Sequence, residues 1–190
     1  MTTIEIQANL LRAVQAVAQL SVKAKDIREM LHGVFVDPTN QALVSTNGHT
    51  LVKSPATITG VWNGADSLIL DLSQAKIPAK ASVAVITVNE DGSDIRLELP
   101  DTNIAPQLLS RIRAYKYVDW QRVIKAINGE QKAYKAIGFN PEYINVVGKV
   151  IGKHYVVGME FYGTGDTPTM FKVLWSNEPE LVHIVMPAKI

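Results

Sequence analysis

The sequence predicts an α+β fold in which helices lie on one face of antiparallel sheets. Three observations predict it. The order strand, helix, three strands is legible at both ends of the chain and, in weakened form, in the middle. Its period of roughly 60 residues exceeds that of solenoid repeats, which makes it a duplicated supersecondary unit. The chain has 190 residues, 47% of them hydrophobic and 19% charged, enough to bury a core without disulfides or metals.

The first unit opens with an alternating strand, Thr3 to Gln7. From Asn9 to Ser21, Leu10, Ala13, Val14, Val17 and Leu20 recur at three- and four-residue steps, the spacing of an amphipathic helix. Arg12, Gln15 and Gln19 are read on its opposite face. Gly33 to Val36 and Ala42 to Thr46 follow as strands around the turn Asp37-Pro38-Thr39-Asn40. Asn47-Gly48 marks a tight turn into a further strand, Thr50 to Lys53.

The second unit begins after a loop from Gly60 to Asp66. Ser67 to Leu72 reads as a strand and Ser73 as the cap of a short helix that Pro78 stops at once. Ser82 to Val88 and Asp94 to Leu99 form a hairpin around Asp91-Gly92. Arg111 to Lys135 is read as a strand and a connecting segment. In the third unit Lys135 to Phe139 is a strand, and Asn140-Pro141-Glu142 places a cap, a first-position proline and an acid at a helix start. Tyr143, Ile144, Val147, Val150 and Ile151 form the apolar stripe and Gly152 ends the helix. The strands Tyr155 to Tyr162, Thr169 to Trp175 and Leu181 to Met186 close the chain. Two domains are expected: residues 1–124 with two units, the second degenerate, and residues 125–190 with one.

Composition removes several classes of function. The 19 Lys+Arg against 18 Asp+Glu give a net charge of +1, so contact with nucleic acid must come from a local patch. The apolar fraction excludes disorder. The absence of cysteine excludes disulfide frameworks, thiolate zinc sites and cysteine nucleophiles. No secretory pattern opens the sequence and no apolar run approaches the ~18–20 residues of a membrane span, which predicts a soluble, cytoplasmic protein with no membrane partner. His32, His49, His154 and His183 lack metal-ligand spacing, and no Gly-x-Ser-x-Gly nucleophile motif is present. Gly163-Thr164-Gly165-Asp166 lies between two strands, as a hairpin and not a phosphate loop. The Arg111 to Arg122 stretch, with Tyr115, Tyr117 and Trp120, is read as strand and connector with its aromatics in the core. No catalytic constellation, metal or cofactor is expected.

Four segments resemble one family. Asp26-Ile27-Arg28 through Gly33-Val34-Phe35-Val36 and then Ser45-Thr46-Asn47-Gly48-His49-Thr50-Leu51 resemble the bacterial sliding clamp, the beta subunit of the replicative DNA polymerase, whose strand ends in a Thr-Asp-Gly-His-Arg-Leu turn. Val118-Asp119-Trp120-Gln121-Arg122-Val123-Ile124 is similar to the family's Phe-Pro-Asp-Tyr-Arg-Arg-Val-Leu. Ile137-Gly138-Phe139-Asn140 heads the last helix as in the family, and Val185-Met186-Pro187-Ala188-Lys189-Ile190 is similar to its terminal Val-Met-Pro-Met-Arg-Leu. The resemblance covers residues 5–124 and 134–190.

The resemblance implies a clamp-like fold, no catalysis, and a ring of such units around duplex DNA, bound without sequence preference. It also implies partners, a replicative polymerase or other proteins that insert short hydrophobic peptides into a pocket, and a clamp loader. Carried over residue by residue, the pocket is Thr46, Gly48, His49, Leu51, Arg122, Val123, Met186 and Pro187. An apolar cleft with few polar groups suits a peptide. Thr50 stands where the family has arginine, Val118 where it has proline, and Ala188 where it has methionine, substitutions that bear on peptide preference. Set against the family's three-domain subunit, the chain has counterparts for three units, so a twelve-unit ring takes four copies. A DNA-lining face needs basic helix residues, and the candidates are Arg12, Lys23, Lys25, Arg28, Lys149 and Lys153, with Lys76 and Lys80 from the middle unit. A non-encircling module or decoy that binds the same peptides is the alternative.

Overall fold

The structure is a computed structural model that describes residues 1–114, 116–126, 137–152, 157–164 and 167–188, with side chains described for all of these except 126, 164 and 167–169. Strand β1 (Thr2–Gln7) runs directly into helix α1 (Ala8–Lys23). A 3₁₀ turn at Glu29–His32 leads into β2 (Val34–Asp37), β3 (Ala42–Thr46), β4 (Thr50–Pro55) and β5 (Thr57–Gly60). The middle of the chain supplies β6 (Ile69–Asp71), β7 (Val83–Val88), β8 (Ile95–Glu98) and β9 (Gln107–Arg111). Helices α2 (Trp120–Ala126) and α3 (Pro141–Ile151) then precede β10 (Val157–Thr164), β11 (Thr167–Trp175) and β12 (Val182–Val185).

Among the described residues these strands form one twelve-stranded sheet in the order β10-β11-β12-β4-β3-β2-β6-β9-β8-β7-β1-β5. The register Val182↔Lys53 to Val185↔Thr50 joins β12 to β4 antiparallel, so the sheet continues across the expected boundary at 124/125. Period-2 alternation sorts the side chains of β3 and β4 onto two faces. Leu43 and Val52 enter the core with α1 and α3, whereas Ala42, Val44 and Leu51 join a second cluster with Leu31, Ile69, Trp120 and Ile184. Every residue of β3 is buried for this reason. Helices α1 and α3 pack against one another, and α2 covers the opposite face through Trp120.

Helix α1 is buried nearly all round. The Ser45 and Ser54 hydroxyls donate to the α1 carbonyls of Val14 (2.7 Å) and Leu10 (3.2 Å), which satisfies polar groups inside the helix–sheet interface. Gln15, expected on the solvent face, is buried. Its amide donates to the carbonyls of Leu72 (2.8 Å) and Ala75 (2.9 Å). A second correction goes with these bonds: no helix follows Ser73. Its N–H instead donates to the Asp71 carboxylate (2.9 Å) in an Asx turn. Pro78 bars continuation of a helix, and the Gln15 and Arg12 side chains of α1 donate to the carbonyls of Leu72, Ala75 and Pro78 in this stretch.

Two further expectations change. The strand expected within Arg111 to Lys135 lies earlier, as β9, and α2 occupies part of the expected connector. Of the strand expected from Lys135 to Phe139, residues 135 and 136 lie outside the described residues, and the described part holds an isolated bridge from Gly138 to Ala188 in place of a strand. Strand β5, just before the expected loop from Gly60, pairs with β1. Helix α3 matches expectation closely: the Asn140 side chain accepts from Glu142 N–H (3.0 Å), and Gly152 ends the helix at φ +128°, a conformation that suits glycine.

Candidate functional site

The turn between β3 and β4 is built by local hydrogen bonds. Thr46 Oγ1 donates to the Thr50 carbonyl (2.7 Å) and accepts from Gly48 N–H (3.1 Å). Asn47 Oδ1 accepts from the N–H groups of His49 and Thr50, both at 2.9 Å. Gly48 sits at φ +88°, and a Cβ there would meet the Arg28 guanidinium at 3.2 Å. The sequence thus dictates this turn: an Asx side chain to gather N–H groups and a glycine for the left-handed position.

The turn forms one wall of an open, largely apolar pocket of about 140 Å³. Thr46, Gly48, His49, Thr50 and Leu51 supply that wall. Val118, Asp119, Trp120 and Val123 come from the start of α2 and its approach, Ile184 from β12 and Met186 from just past it, and Arg28 and Leu31 from the segment after α1. Met186 N–H donates to the His49 carbonyl (2.8 Å), which ties the C-terminal segment to the turn. The His49 ring lies parallel to the Tyr143 ring of α3, 6.0 Å between centroids and 3° apart in plane. Trp120 carries Lys53 Nζ over its ring at 5.9 Å.

Polar groups at the pocket are held by neighbours. The Asp26 carboxylate accepts from Arg28 Nε (3.0 Å), Nη2 (2.7 Å) and backbone N–H (2.8 Å). The side-chain hydrogen bond from Arg28 holds the Asp26 carboxyl well below the usual carboxylate range. Asp119 accepts from Arg122 N–H (3.2 Å), capping the first turn of α2.

Of the eight carried-over pocket residues, Thr46, Gly48, His49, Leu51, Val123 and Met186 line this one concavity. Arg122 is exposed on α2 and Pro187 is half-buried just past Met186, and neither lines it. Sequence reasoning misses Leu31, Trp120 and Ile184 because buried apolar residues at core spacing carry no mark of a pocket. Tyr117 and Trp120 are buried as expected, Tyr117 stacked on Phe35 at 5.0 Å, while Tyr115 lies outside the described residues.

No protein-family model and no curated protein matches the chain. Solved structures do. The sliding clamp of Bartonella birtlesii, bound to griselimycin, aligns over 99% of this chain and 66% of its own at 14% identity and a TM-score of 0.56. The DNA polymerase III beta subunit of Thermotoga maritima aligns over 100% of this chain and 65% of its own, at 10% identity and TM-score 0.61. This is the sliding-clamp fold. The DNA polymerase sliding clamp of Caulobacter crescentus agrees, with 18% identity, TM-score 0.59, and coverage of 99% and 65%. The chain spans about two thirds of the length of each clamp.

Among the described residues, the candidates for a DNA-facing surface on α1, just after it and on α3 divide into three groups. Lys23, Lys25 and Lys149 are exposed on or just beyond α1 and on α3. Arg12 is half-buried, its guanidinium donating to the carbonyls of Pro78 (2.8 Å) and Val150 (3.4 Å). Burial lowers its pKa. Arg28, also among the residues expected to face DNA, lines the apolar pocket, in the segment after α1 ends at Lys23. Lys153 lies outside the described residues. Among the described residues no group of His, Asp or Glu is arranged to hold a metal, and no helix is long and apolar enough to cross a membrane.

Proposed function

We propose that this chain is a non-enzymatic tether of the sliding-clamp kind, which takes short apolar peptide segments of partner proteins into the pocket between the β3–β4 turn, α2 and β12. One observation carries this reading: segments far apart in sequence, read as pocket segments from the resemblance, line a single open apolar concavity. A pocket with apolar walls and few polar groups binds leucine- and phenylalanine-type side chains by burial, with the rim fixing orientation. A replicative polymerase and other proteins bearing such a peptide are the partners, with a clamp loader to place the protein on DNA. Griselimycin, bound by the Bartonella clamp, is the probe. Calorimetry is expected to give saturable binding at one site per chain; no heat at any concentration overturns the peptide reading.

On this reading the protein works as a homo-oligomer that encircles duplex DNA. The sheet ends on β10 at one side and β5 at the other, and head-to-tail pairing of such edges between copies generates a ring when the rotation closes. Three units per chain make a twelve-unit ring from four copies. Light scattering over a concentration series tests the assembly, and retention on circular DNA that disappears on linearisation tests encirclement.

A non-encircling module that binds the same peptides is the second reading. Two observations favour it: the middle unit has no helix after Ser73, and Arg12 is engaged with carbonyls. A monomer at every concentration that still binds griselimycin selects it.

A further inference from the structure

The pocket has a back as well as a mouth. Alternation along β12 sends Ile184 to the pocket and His183 to the opposite face, where it is fully buried. His183 lies in register with Val52 on β4, between the sheet and the helices. Its ring and the Trp175 indole of β11 have planes within 5° of each other and centroids 5.8 Å apart.

The hydrogen bonds fix its protonation. Trp175 Nε1 can only donate, so at 3.3 Å it makes His183 Nδ1 an acceptor. The Thr50 hydroxyl donates its single hydrogen to the Ile184 carbonyl (2.9 Å). Its contact with His183 Nε2 (3.1 Å) therefore runs the other way, from ring N–H to hydroxyl oxygen. These two bonds assign the neutral Nε2–H tautomer to His183, whose ring also meets the Tyr143 backbone of α3. The chain of bonds runs from Trp175 through His183 to Thr50, and from Thr50 back to β12. Thr50 is also the residue at which the pocket's turn enters β4, since Thr46 Oγ1 donates to its carbonyl.

We infer that His183 is a positioning residue for the pocket: it holds the Thr46–Leu51 turn against β12 from behind, so that the wall bearing His49 and Leu51 keeps its distance from Ile184 and Met186. The inference rests on the pocket reading above for its effect on binding. A phenylalanine would fill the same space, but a ring with one donor and one acceptor adds side-chain hydrogen bonds from β12 to β11 and to β4, beyond the backbone pairing, that an apolar ring cannot make.

The test uses the full chain as wild type, His183→Phe and His183→Gln, with griselimycin as the probe. The glutamine amide can both donate and accept, so it is the conservative replacement. The phenylalanine variant is expected to weaken griselimycin binding about tenfold, the worth of one to two hydrogen bonds, while the glutamine variant recovers most of that affinity. Hydrogen exchange gives a readout independent of the ligand: amides of Gly48 to Leu51 exchange faster in the phenylalanine variant, while those of the β7–β8 hairpin are unchanged. Thr50→Val breaks the same link from the other side and is expected to copy the effect should His183→Phe fail to fold. Wild-type affinity and wild-type exchange in a folded His183→Phe protein would overturn the inference. If the wild type itself does not bind griselimycin, the pocket reading fails, and the exchange comparison still decides whether His183 holds the turn.

Discussion

Leu51 and Met186 stand on one pocket but respond differently to a charge. Leu51 is 4% exposed and belongs to the cluster behind the pocket, so a glutamate there buries an unpaired carboxylate and unfolds the region. Met186 is 39% exposed. Met186→Glu is therefore expected to keep stability within about 0.5 kcal/mol while weakening griselimycin binding at least about tenfold, as measured by urea titration and calorimetry. His183 makes a pH prediction. Burial pushes its pKa down to about 3, against a weaker opposing backbone hydrogen bond with Tyr143. An unfolded histidine titrates near about 6.5. Between those values the unfolded chain binds a proton that the folded one refuses, so stability falls as pH drops from about 6.5 toward 3. The slope is up to about 1.4 kcal/mol per pH unit. The groups around the ring, Trp175, Thr50 and the Tyr143 backbone, bring no formal charge to offset this. Urea unfolding at a series of pH values between 7 and 4.5 should show the slope in the wild type and a flatter profile in His183→Phe. Residue by residue, the turn is well marked in the sequence, because an Asn-Gly pair reports its own backbone. Arg28 is not: a basic residue just past a helix looks the same whichever way the chain then turns, and so it reads with the helix lysines although it stands at the pocket.

At the scale of elements, the middle unit depends on a helix it does not own. Gln15 closes the carbonyls of Leu72 and Ala75 from inside α1. Gln15→Leu takes the donor from the half-buried Ala75 carbonyl and leaves the Leu72 carbonyl only the Ala75 N–H (3.1 Å), and is expected to destabilise the fold by about 1–2 kcal/mol in urea titration. Asn140→Ala removes the α3 cap and should cost about 1 kcal/mol by the same measurement. The two cases differ in legibility. Asn140, Pro141 and Gly152 act on residues within a turn of themselves, so their meaning is local. Gln15 serves carbonyls more than fifty residues away, and on a helical wheel it passes for a solvent residue. Helix α2 is not legible either, because its seven residues, Trp120–Ala126, are too few to display a periodicity.

At the scale of the whole molecule, the sheet is continuous from β10 to β5, and the pocket straddles the point where the C-terminal strands join the first unit through β12 and β4. A ring reading predicts that Lys23, Lys25 and Lys149 face phosphate. Replacing each with alanine should then lower the salt dependence of DNA binding, with the slope of log K against log salt falling by about 0.9 for each phosphate no longer neutralised. A slope unmoved in the triple variant removes these residues from the DNA surface. On that reading the middle unit, with no helix after Ser73, has none to set beside α1 and α3 on the DNA side.

Periodicity, and hydrogen bonds that a residue makes with its near neighbours, determine the α+β class, the strand–helix–strand order, the capped third helix and the Asn47-Gly48 turn from the sequence by itself. Likeness to the clamp family also named most of one wall of the pocket. Three-dimensional packing was needed to show that Trp120, Ile184 and Leu31 complete that pocket, that Gln15 and Arg12 turn inward, and that His183 stands behind it. Those roles exist only when β12 lies beside β4 and α1 covers the helix-less stretch, and no single segment encodes an interaction whose other half lies far along the chain.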